Sequence, residues 1–343
     1  MIEDDNQDEN PETVPTSAAP NAGAYHAPVL LHEMIELLGL TPGDAVLDAT
    51  LGGGGHSAAL LKEISPDGVL VGLDRDAEAL QAAEKRLEAE VPLSRFFLLQ
   101  TAFGDLEKAL SAKEETAGLA FHGMLFDLGV SSHQLDSARG FSFRRDERID
   151  MRMDASESGG SSAEDLLAEA DEDELARILW EYGEENWSRR IAKKIVESRK
   201  ESGRIETTGR LVSIIEASVP RGAWPRDIHV ATRSFQGLRI AVNDELGQLE
   251  DGLRAGFNRL RPGGRMAVMS YHSLEDRIVK RKFAEWSGRT PSAPGSSPAA
   301  FLPNVDKQAV AKTITRKPVV SEDREIRNNP RARSAKMRVI EKL

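Results

Sequence analysis

Residues 44–76, DAVLDATLGGGGHSAALLKEISPDGVLVGLDRD, place four consecutive glycines between an apolar strand and a helix, and an acidic residue at the end of a second strand. Glycines allow the backbone to turn sharply and to approach a ligand closely. Asp74 stands 19 positions after Gly55, where a carboxylate at a strand end can accept hydrogen bonds from ribose hydroxyls. The stretch therefore predicts a nucleoside-binding βαβ unit.

The glycine spacing bears on which ribose ligand this unit takes. The run ends at Gly55 and continues with His56 and Ser57, so the dinucleotide pattern G-x-G-x-x-G cannot be completed. A pyrophosphate needs the bare amides of that loop and a helix N-terminus, whereas S-adenosylmethionine (SAM) carries no phosphate. The segment favours SAM over NAD. A flexible linker is a poor alternative, because the apolar runs at 45–47 and 69–73 have strand length.

The composition is that of an ordinary globular chain, with 343 residues, 40% hydrophobic and 29% charged. No apolar run approaches the roughly 18 residues of a membrane span. Residues 1–24 hold six acidic residues and no lysine or arginine, which predicts a disordered acidic tail and not a signal peptide. We therefore expect a globular protein without a membrane segment.

The chain contains no cysteine. This excludes disulfides, thiolate metal sites and a cysteine nucleophile, and it is compatible with a reducing cytoplasm. Methylation at carbon 5 of cytosine is expected to use a cysteine that activates the ring. If a base is the target, an exocyclic amine or a ring nitrogen is the expected acceptor.

Strand and helix patterns alternate through the first half, with strands predicted at 45–48, 69–73, 96–99 and 123–127 and helices at 57–64, 76–88 and 105–110. Ligands bind at the carboxyl ends of such parallel strands, and Asp48, Asp74 and Asp127 all fall there. Single aspartates often only cap a turn, but three at equivalent positions indicate a shared site.

The pattern changes after Asp127, since residues 131–230 contain no convincing strand. One helix is predicted to follow a capping box at residues 161–165 and to carry the apolar positions 166–179, and a second, basic helix covers 187–200. A long helix at 235–260, a strand at 266–270, a helix at 273–286, a flexible loop at 287–311 and a strand pair at 313–320 and 336–340 complete the prediction.

The predicted fold is an α/β, Rossmann-like class I SAM-dependent methyltransferase with an all-helical insert after the fourth strand. The SAM-binding domain would comprise 25–132 and 231–343. The insert, 133–230, is the expected substrate-recognition domain.

Seven strings carry a specific resemblance: HAPVLLHEMIELL, LDATLGGGGHS, GLDRD, LFDLGVSSHQLDSARGFSFRRDERIDMRMD, ATRSFQGLRIAVNDEL, RPGGRMAVMSYHSLEDRIVK and NPRARSAKMR. In this order, from about Tyr25 to the C-terminus, they resemble the ribosomal small-subunit methyltransferase H family, also called MraW. The resemblance implies SAM-dependent methylation of the exocyclic N4 amine of a cytidine in the decoding region of 16S ribosomal RNA, by a cytoplasmic bacterial protein that needs no metal.

The resemblance also implies a set of SAM contacts in this sequence. Carried over motif by motif, they are Gly54, Gly55 and His56 in the loop, Asp74 on the ribose, Phe103 beside the adenine, Asp127 at the end of the fourth strand, and Gln134 in the segment that follows.

The proton acceptor is not assigned by motif. Many amino-methyltransferases follow the fourth strand with Asp or Asn, two prolines and an aromatic residue, but here Asp127 is followed by Leu-Gly-Val. Asp150, Asp154 and His272 are the candidates for base contact or proton acceptance. The alternatives are salt bridges to Arg148 and Arg152 for the two aspartates and a structural role for His272 at a strand-to-helix junction. Water could also accept the proton.

Local charge supports an RNA partner, expected to be 16S ribosomal RNA within the small subunit. Residues 312–343 hold ten Lys or Arg against four Asp or Glu, and five arginines lie at 139–152. The basic face of helix 187–200 could meet phosphates or simply face solvent. Phe141 and Phe143 could stack on a base or anchor a loop in the core. A SAM-dependent enzyme acting on another nucleic acid, a small molecule or a protein stays open, as does a nucleotide-binding oxidoreductase.

Overall fold

A computed structural model describes residues 28–129, 138–154, 160–290, 302–303 and 308–343 of the protein. The predicted acidic tail at 1–24 and Gln134 lie outside these residues. The helices are α1 Leu31–Leu38, α2 Gly55–Ile64, α3 Ala77–Glu90, α4 Leu106–Ala112, α5 Glu114–Ala117, α6 Ala163–Glu169, α7 Glu172–Glu181, α8 Ser188–Ser202, α9 Thr208–Ser218, α10 Thr232–Asn243, α11 Glu245–Arg259, α12 Ser273–Trp286 and α13 Asp323–Asn328. The strands are β1 Ala45–Asp48, β2 Val69–Asp74, β3 Arg95–Gln100, β4 Phe121–Asp127, β5 Leu260–Ser270, β6 Arg289–Thr290, β7 Leu302–Pro303, β8 Ala311–Thr313 and β9 Lys336–Lys342.

A seven-stranded sheet in the order β3-β2-β1-β4-β5-β9-β8 organises the molecule. The first five strands in this order are parallel, and β9 and β8 are antiparallel additions at one edge. The carboxyl ends of β1, β2 and β4 therefore lie at one edge of the sheet, as the three aspartates predicted. This confirms the α/β, Rossmann-like fold class.

Both faces of the central strands are buried, because successive side chains of a strand point to opposite faces. Leu47 and Phe126 pack with helices α11 and α12 on one face. Val46 and Leu125 pack with helices α1 and α2 on the other. All four residues of β1 are buried, which explains why its sequence is apolar without alternation up to Asp48.

A separate hydrophobic cluster holds the helical segment that follows β4. It joins α6, α7, α8 and α9 through residues such as Leu167, Leu179, Ile195 and Leu211. The cluster continues into α10 as far as Leu238, so the packing of the insert extends past the predicted boundary at residue 230. Helix α9 was not predicted.

Two predicted helices are in fact pairs. The helix expected across 166–179 does begin with a capping box, at Ser162 and Asp165, but it ends at Glu169 and a new helix starts after the N-cap Asp171. The helix expected at 235–260 is broken at Asp244, whose left-handed φ of 46° separates α10 from α11. Apolar periodicity continues through both breaks, which is why it did not reveal them.

The predicted strand at 313–320 is wrong beyond Thr313. Strand β8 covers only Ala311–Thr313, and Val319 contributes a single bridge to Met337. Within the predicted flexible loop 287–311, β6 and β7 pair as a short antiparallel ribbon. In the part of the chain that the structure describes, we find no helix with the length and apolar character needed to cross a membrane.

Candidate active site

A cavity of about 380 Å³ opens at the carboxyl edge of the parallel strands. Its size suits a small-molecule ligand. Its lining includes the glycine loop, the ends of β2 and β4, helices α10 and α11, and the start of α12. Residues Asn329, Arg331 and Ser334 of the C-terminal region complete the rim.

The glycine loop is held in place by the buried carboxylate of Asp48. One of its oxygens accepts the Thr50 amide at 3.1 Å and the other accepts the Ser57 hydroxyl at 2.7 Å. Burial raises the pKa of Asp48, and the Ser57 hydrogen bond opposes that rise. Asp48 is therefore a structural part of the loop, and its oxygens are already engaged by the loop's own donors.

Glycines 52, 53 and 55 line the cavity, but Gly54 does not. Gly54 adopts φ 73°, and a methyl group added there would lie 3.1 Å from Cα and Cβ of Ala83 in α3. The structure thus gives Gly54 a role in loop conformation and in the close approach of α3.

Asp74 ends β2 at the cavity wall. Its Oδ2 accepts the Gly52 amide at 2.8 Å and its Oδ1 accepts the Asp76 amide at 2.9 Å. Desolvation raises the pKa of Asp74 to about 6, although both amide hydrogen bonds act to lower it. The carboxylate is locked in orientation and retains lone pairs for the hydroxyls of a ligand.

Phe103 lines the cavity from a short 3-10 turn after β3. Its ring meets the edge of Phe126 at 6.0 Å between centroids. The neighbouring Gly104 amide donates to Oε1 of Gln248 at 3.1 Å, which ties the turn to α11. This arrangement presents an apolar, fixed surface suited to the flat ring of an adenine.

His56, Asp127 and Tyr271 form a connected polar group in the cavity wall. The Tyr271 hydroxyl donates to Oδ1 of Asp127 at 2.7 Å. Oδ2 of Asp127 lies 3.5 Å from Nδ1 of His56. Because Nε2 of His56 is 2.9 Å from the carbonyl of Val29, which can only accept, that nitrogen carries a proton.

His272 caps α12 and lines the cavity. Its Nδ1 accepts the Glu275 amide, and Nε2 lies 3.2 Å from Oε1 of Glu275 without the alignment of a hydrogen bond to any described residue. Burial acts to raise the pKa of Glu275, but the contact with His272 and the Tyr271 amide outweigh it, so the pKa lies below its usual range. Because Nδ1 accepts an amide, Nε2 carries a ring proton, and this buried nitrogen faces the Glu275 carboxylate.

Glu245, His272 and Glu275 bring donor atoms within 4.8 Å of one another, a spacing that a metal ion could use. The Arg239 guanidinium, however, binds both oxygens of Glu245, at 2.7 and 2.8 Å. A cation already compensates this carboxylate, and we assign no metal to the group.

The two acidic candidates for base contact or proton acceptance, Asp150 and Asp154, are not among the residues that line the cavity. Asp150 receives two hydrogen bonds from the Arg152 guanidinium, at 2.8 and 2.7 Å. Burial acts to raise the pKa of Asp150, but these bonds hold it below its usual range. Met153 lines the cavity, whereas Asp150 and Asp154 do not. For Asp150, the geometry matches the salt-bridge alternative.

The two phenylalanines expected either to stack on a base or to anchor a loop are packed inside the protein. Phe141 is buried in the cluster of the helical insert. Phe143 packs against it, with its ring centroid 5.1 Å from that of Phe235 and 4.8 Å from that of His229. The structure favours the anchoring role.

Sequence reasoning missed Tyr271, Arg239 and Arg331 as parts of the cavity. The string SYHSLED drew attention to His272, and the aromatic residue before it carried no pattern of its own. Its position directly after the apolar run 266–270 was the available signal, since residues that follow a strand of this sheet face the ligand.

Comparison with known proteins gives consistent matches. A model of the MraW methylase family matches residues 23–343. The chain is 48% identical over 321 residues to a ribosomal RNA small subunit methyltransferase H from Geotalea uraniireducens, covering 93% of this chain and 99% of the relative. It is 48% identical over 319 residues to the protein of the same name from Geobacter sulfurreducens, covering 93% and 99%. The solved structure of an rRNA methylase from Streptococcus thermophilus superposes with a TM-score of 0.40 and 11% identity, covering 91% of this chain and 93% of that one.

Proposed function

The chain belongs to the MraW methylase family, and from this premise we propose that it methylates the exocyclic N4 amine of a cytidine in the decoding region of 16S ribosomal RNA. It is a SAM-dependent rRNA methyltransferase, and SAM is its methyl donor. The observation that carries the proposal is the joining, in one cavity, of the glycine loop, the Asp74 carboxylate and the Asp127 carboxylate.

SAM fits the cavity with its ribose at Asp74. Both oxygens of that carboxylate are fixed by backbone amides, so ribose hydroxyls can donate to it without loss of conformational freedom. Phe103 would lie beside the adenine, and Gly55, His56 and Asp127 would surround the methionine end. Gln134 is retained as a proposed contact from the resemblance alone, and Gly54 as a conformational residue of the loop.

The reaction is an in-line displacement. The amine lone pair attacks the sulfonium methyl, a nitrogen–carbon bond forms, and the carbon–sulfur bond breaks with its electrons moving to sulfur. Alignment of the three atoms supplies much of the rate in such reactions. In-line alignment requires that the protein hold SAM in a fixed position. The glycine loop, held by Asp48, and the ribose contact at Asp74 meet this requirement.

The part of the cavity at the ends of β4 and β5, beside Asp127 and His272, is the proposed place for the base. His272 lines this part of the cavity and is kept as a proposed contact of the base, although its Nε2 is buried against Oε1 of Glu275 at 3.2 Å. Asp150 and Asp154 do not line this part, so we do not retain them as the acceptors of the amine proton.

The macromolecular partner is ribosomal RNA, and we infer that the substrate is held within the small subunit in the cytoplasm. Exposed arginines of the C-terminal region, Arg324, Arg327 and Arg333, lie on or beside the turn that lines the cavity. The chain as a whole has a net charge of −11, which disfavours indiscriminate binding to RNA. Local basic patches on an acidic protein suit a folded particle of defined shape.

Incubation with tritiated SAM tests the proposal. Small subunits that lack the modification, large subunits, deproteinised 16S RNA and free cytidine would be offered in parallel. We expect label in the RNA of small subunits. Label confined to protein or to free nucleosides would contradict the proposal. Equal labelling of deproteinised RNA would contradict only the inference that the substrate is the assembled small subunit.

A further inference from the structure

An aromatic ring lies beside the Asp127-Leu128-Gly129 segment, although that segment contains none. The ring belongs to Tyr271, which directly follows β5, the neighbour of β4 in the sheet. A methyl group added at Gly129, where φ is 97°, would lie 3.4 Å from Cδ2 of Tyr271. The ring therefore covers the backbone of Gly129, while Tyr271 also lines the cavity.

The hydroxyl of Tyr271 is a fixed hydrogen-bond donor. Burial and the adjacent Asp127 carboxylate raise the pKa of Tyr271 well above its usual range, so the phenol stays protonated and cannot itself accept a proton. Its single proton goes to Oδ1 of Asp127 at 2.7 Å. One oxygen of the carboxylate is thereby tied to the end of β5.

The rest of Asp127 is held from two further sides. Its amide donates to Oγ1 of Thr50 at 2.6 Å, which links it to the glycine loop. Nδ1 of His56 stands 3.5 Å from Oδ2, and that ring is anchored in turn by the carbonyl of Val29. Asp127 lines the cavity with 24% of its side chain exposed, and a carboxylate has more lone pairs than these contacts use, so it can still accept from a ligand.

We propose that Tyr271 is the positioning residue for the target amine: its hydroxyl orients the Asp127 carboxylate to accept an N–H of the amine, and its ring forms the wall beside the base. This rests on the proposed function. The ring supplies from β5 the aromatic group that many amino-methyltransferases place directly after β4.

The proton balance of the step is simple. The amine lone pair forms the bond to the methyl carbon, and the carbon–sulfur electron pair stays on sulfur, which gives neutral S-adenosylhomocysteine and a methylated nitrogen with one proton in excess. That proton passes to Asp127 and then to water. The hydrogen bond from the amine to Asp127 before transfer raises electron density on nitrogen as it attacks.

The test uses Tyr271→Phe, which keeps the ring and removes the hydroxyl. Tyr182→Phe is the matched control, because its hydroxyl bonds Arg177 in the helical insert, away from the cavity. With small subunits saturating, we expect kcat to fall about 10- to 100-fold in Tyr271→Phe, the range of a hydrogen bond to a charged group. The dissociation constant for SAM should change less than about threefold, and Tyr182→Phe should match the unaltered enzyme.

A double-mutant cycle separates positioning from a structural role. If Tyr271 acts through Asp127, then Tyr271→Phe added to Asp127→Asn should lower kcat by less than about threefold. Full additivity of the two losses, an unchanged kcat in Tyr271→Phe, or a loss confined to SAM affinity would each overturn the inference. An unaltered enzyme that labels no ribosomal RNA would overturn the proposed function instead, so the two failures are distinguishable.

Discussion

Single residues set the chemistry of the cofactor end of the cavity, and Asp74 is the most consequential of them. Its carboxylate is oriented by two amides before any ligand arrives, so binding costs little ordering there. His56 and Asp127 are likewise anchored through Val29 and Thr50. The site is preorganised by its backbone contacts, and substitutions should act locally.

Loss of the Asp74 carboxylate should weaken SAM binding. The pKa of Asp74 is raised to about 6, so the acceptor form is present above that value and is lost as the pH falls through it. We expect the dissociation constant for SAM to rise below about pH 6 in the unaltered protein. Asp74→Asn should bind at least about tenfold more weakly at pH 7.5 and show no such pH dependence.

Isothermal titration at pH 5 to 8 measures both effects. Asp44→Asn is a suitable control, since Asp44 lies outside the cavity lining and bonds Thr41. A steep pH dependence that persists in Asp74→Asn would assign the titration to another group.

Gly54 should matter to stability more than to ligand contact. An added methyl group would meet the backbone of Ala83 at 3.1 Å in a left-handed conformation that side chains disfavour. Gly54→Ala should lower the free energy of unfolding by about 1–3 kcal/mol. Gly118→Ala is the control, because nothing lies within 4 Å and its φ is −92°. Urea denaturation compares them, and equal stabilities would contradict the packing role.

The sequence predicted the site residues that belong to one contiguous motif. It did not predict the site residues that come into contact from distant segments of the chain. The loop and Asp74 lie in one stretch of 33 residues, and their spacing carries the chemistry. Tyr271 reaches Asp127 across 144 positions. No local pattern encodes such a contact, since it follows from the pairing of β4 with β5.

The interruptions between helices position these residues as much as the regular helices and strands do. The turn at Asp244 lets α10 pack on the helical insert while α11 packs on the sheet. Asn243, at the end of α10, is buried and bridges the Met153 amide at 2.9 Å and the Met151 carbonyl at 2.8 Å. Met151 itself has φ 59°, so this side chain holds a strained segment beside the cavity.

Removal of the Asn243 amide should loosen that segment. Asn243→Ala leaves two buried backbone groups without their partner, which should cost about 2–4 kcal/mol of unfolding free energy. The exposed Asn258 of α11 provides the matched substitution Asn258→Ala. Chemical denaturation followed by circular dichroism distinguishes them. If the two variants have the same free energy of unfolding, the hydrogen bonds of Asn243 do not stabilise this segment.

Element types were predictable where apolar periodicity and caps agree, as in α12, whose predicted bounds match those observed. Breaks within a periodic run were not. Asp171 restarts a helix through its side-chain cap and Asp244 ends one through its backbone angle, while the apolar positions on both sides keep helical spacing. Strand β8 was overestimated because residues beyond Thr313 have strand-forming composition but meet β9 only through isolated backbone bonds at Ile314, Thr315 and Val319.

The whole molecule places the cavity where sheet, helical insert and C-terminal region meet. Residues of all three line it, including Asp127, Met153 and Arg331. A macromolecular substrate entering this cavity would therefore contact both the insert and the basic C-terminal turn. The fold class could be predicted from the sequence. The joint lining of the cavity by sheet, insert and C-terminal region could not, because it depends on how the insert packs against the rest of the protein.

RNA affinity should depend on the exposed arginines of that turn. Arg324→Ala with Arg333→Ala should weaken binding to small-subunit RNA and reduce the slope of log affinity against log salt by about 1 for each phosphate that an arginine no longer neutralises. Arg95→Ala is the control, since Arg95 starts β3 at the opposite edge of the sheet. Filter binding at a series of salt concentrations measures this. Equal slopes for all three proteins would remove the C-terminal region from the RNA interface.

Methylation of the N4 amine of a cytidine in 16S ribosomal RNA with SAM is the activity proposed for this cavity. Its most direct test is mass spectrometry of nucleosides from unmodified small subunits after incubation with SAM and the protein, with the Asp74→Ala variant in parallel. We expect N4-methylcytidine, within a fragment from the decoding region, only with the unaltered protein. A methyl group on another nucleoside or on a ribosomal protein, or the same product from Asp74→Ala at an equal rate, would contradict it.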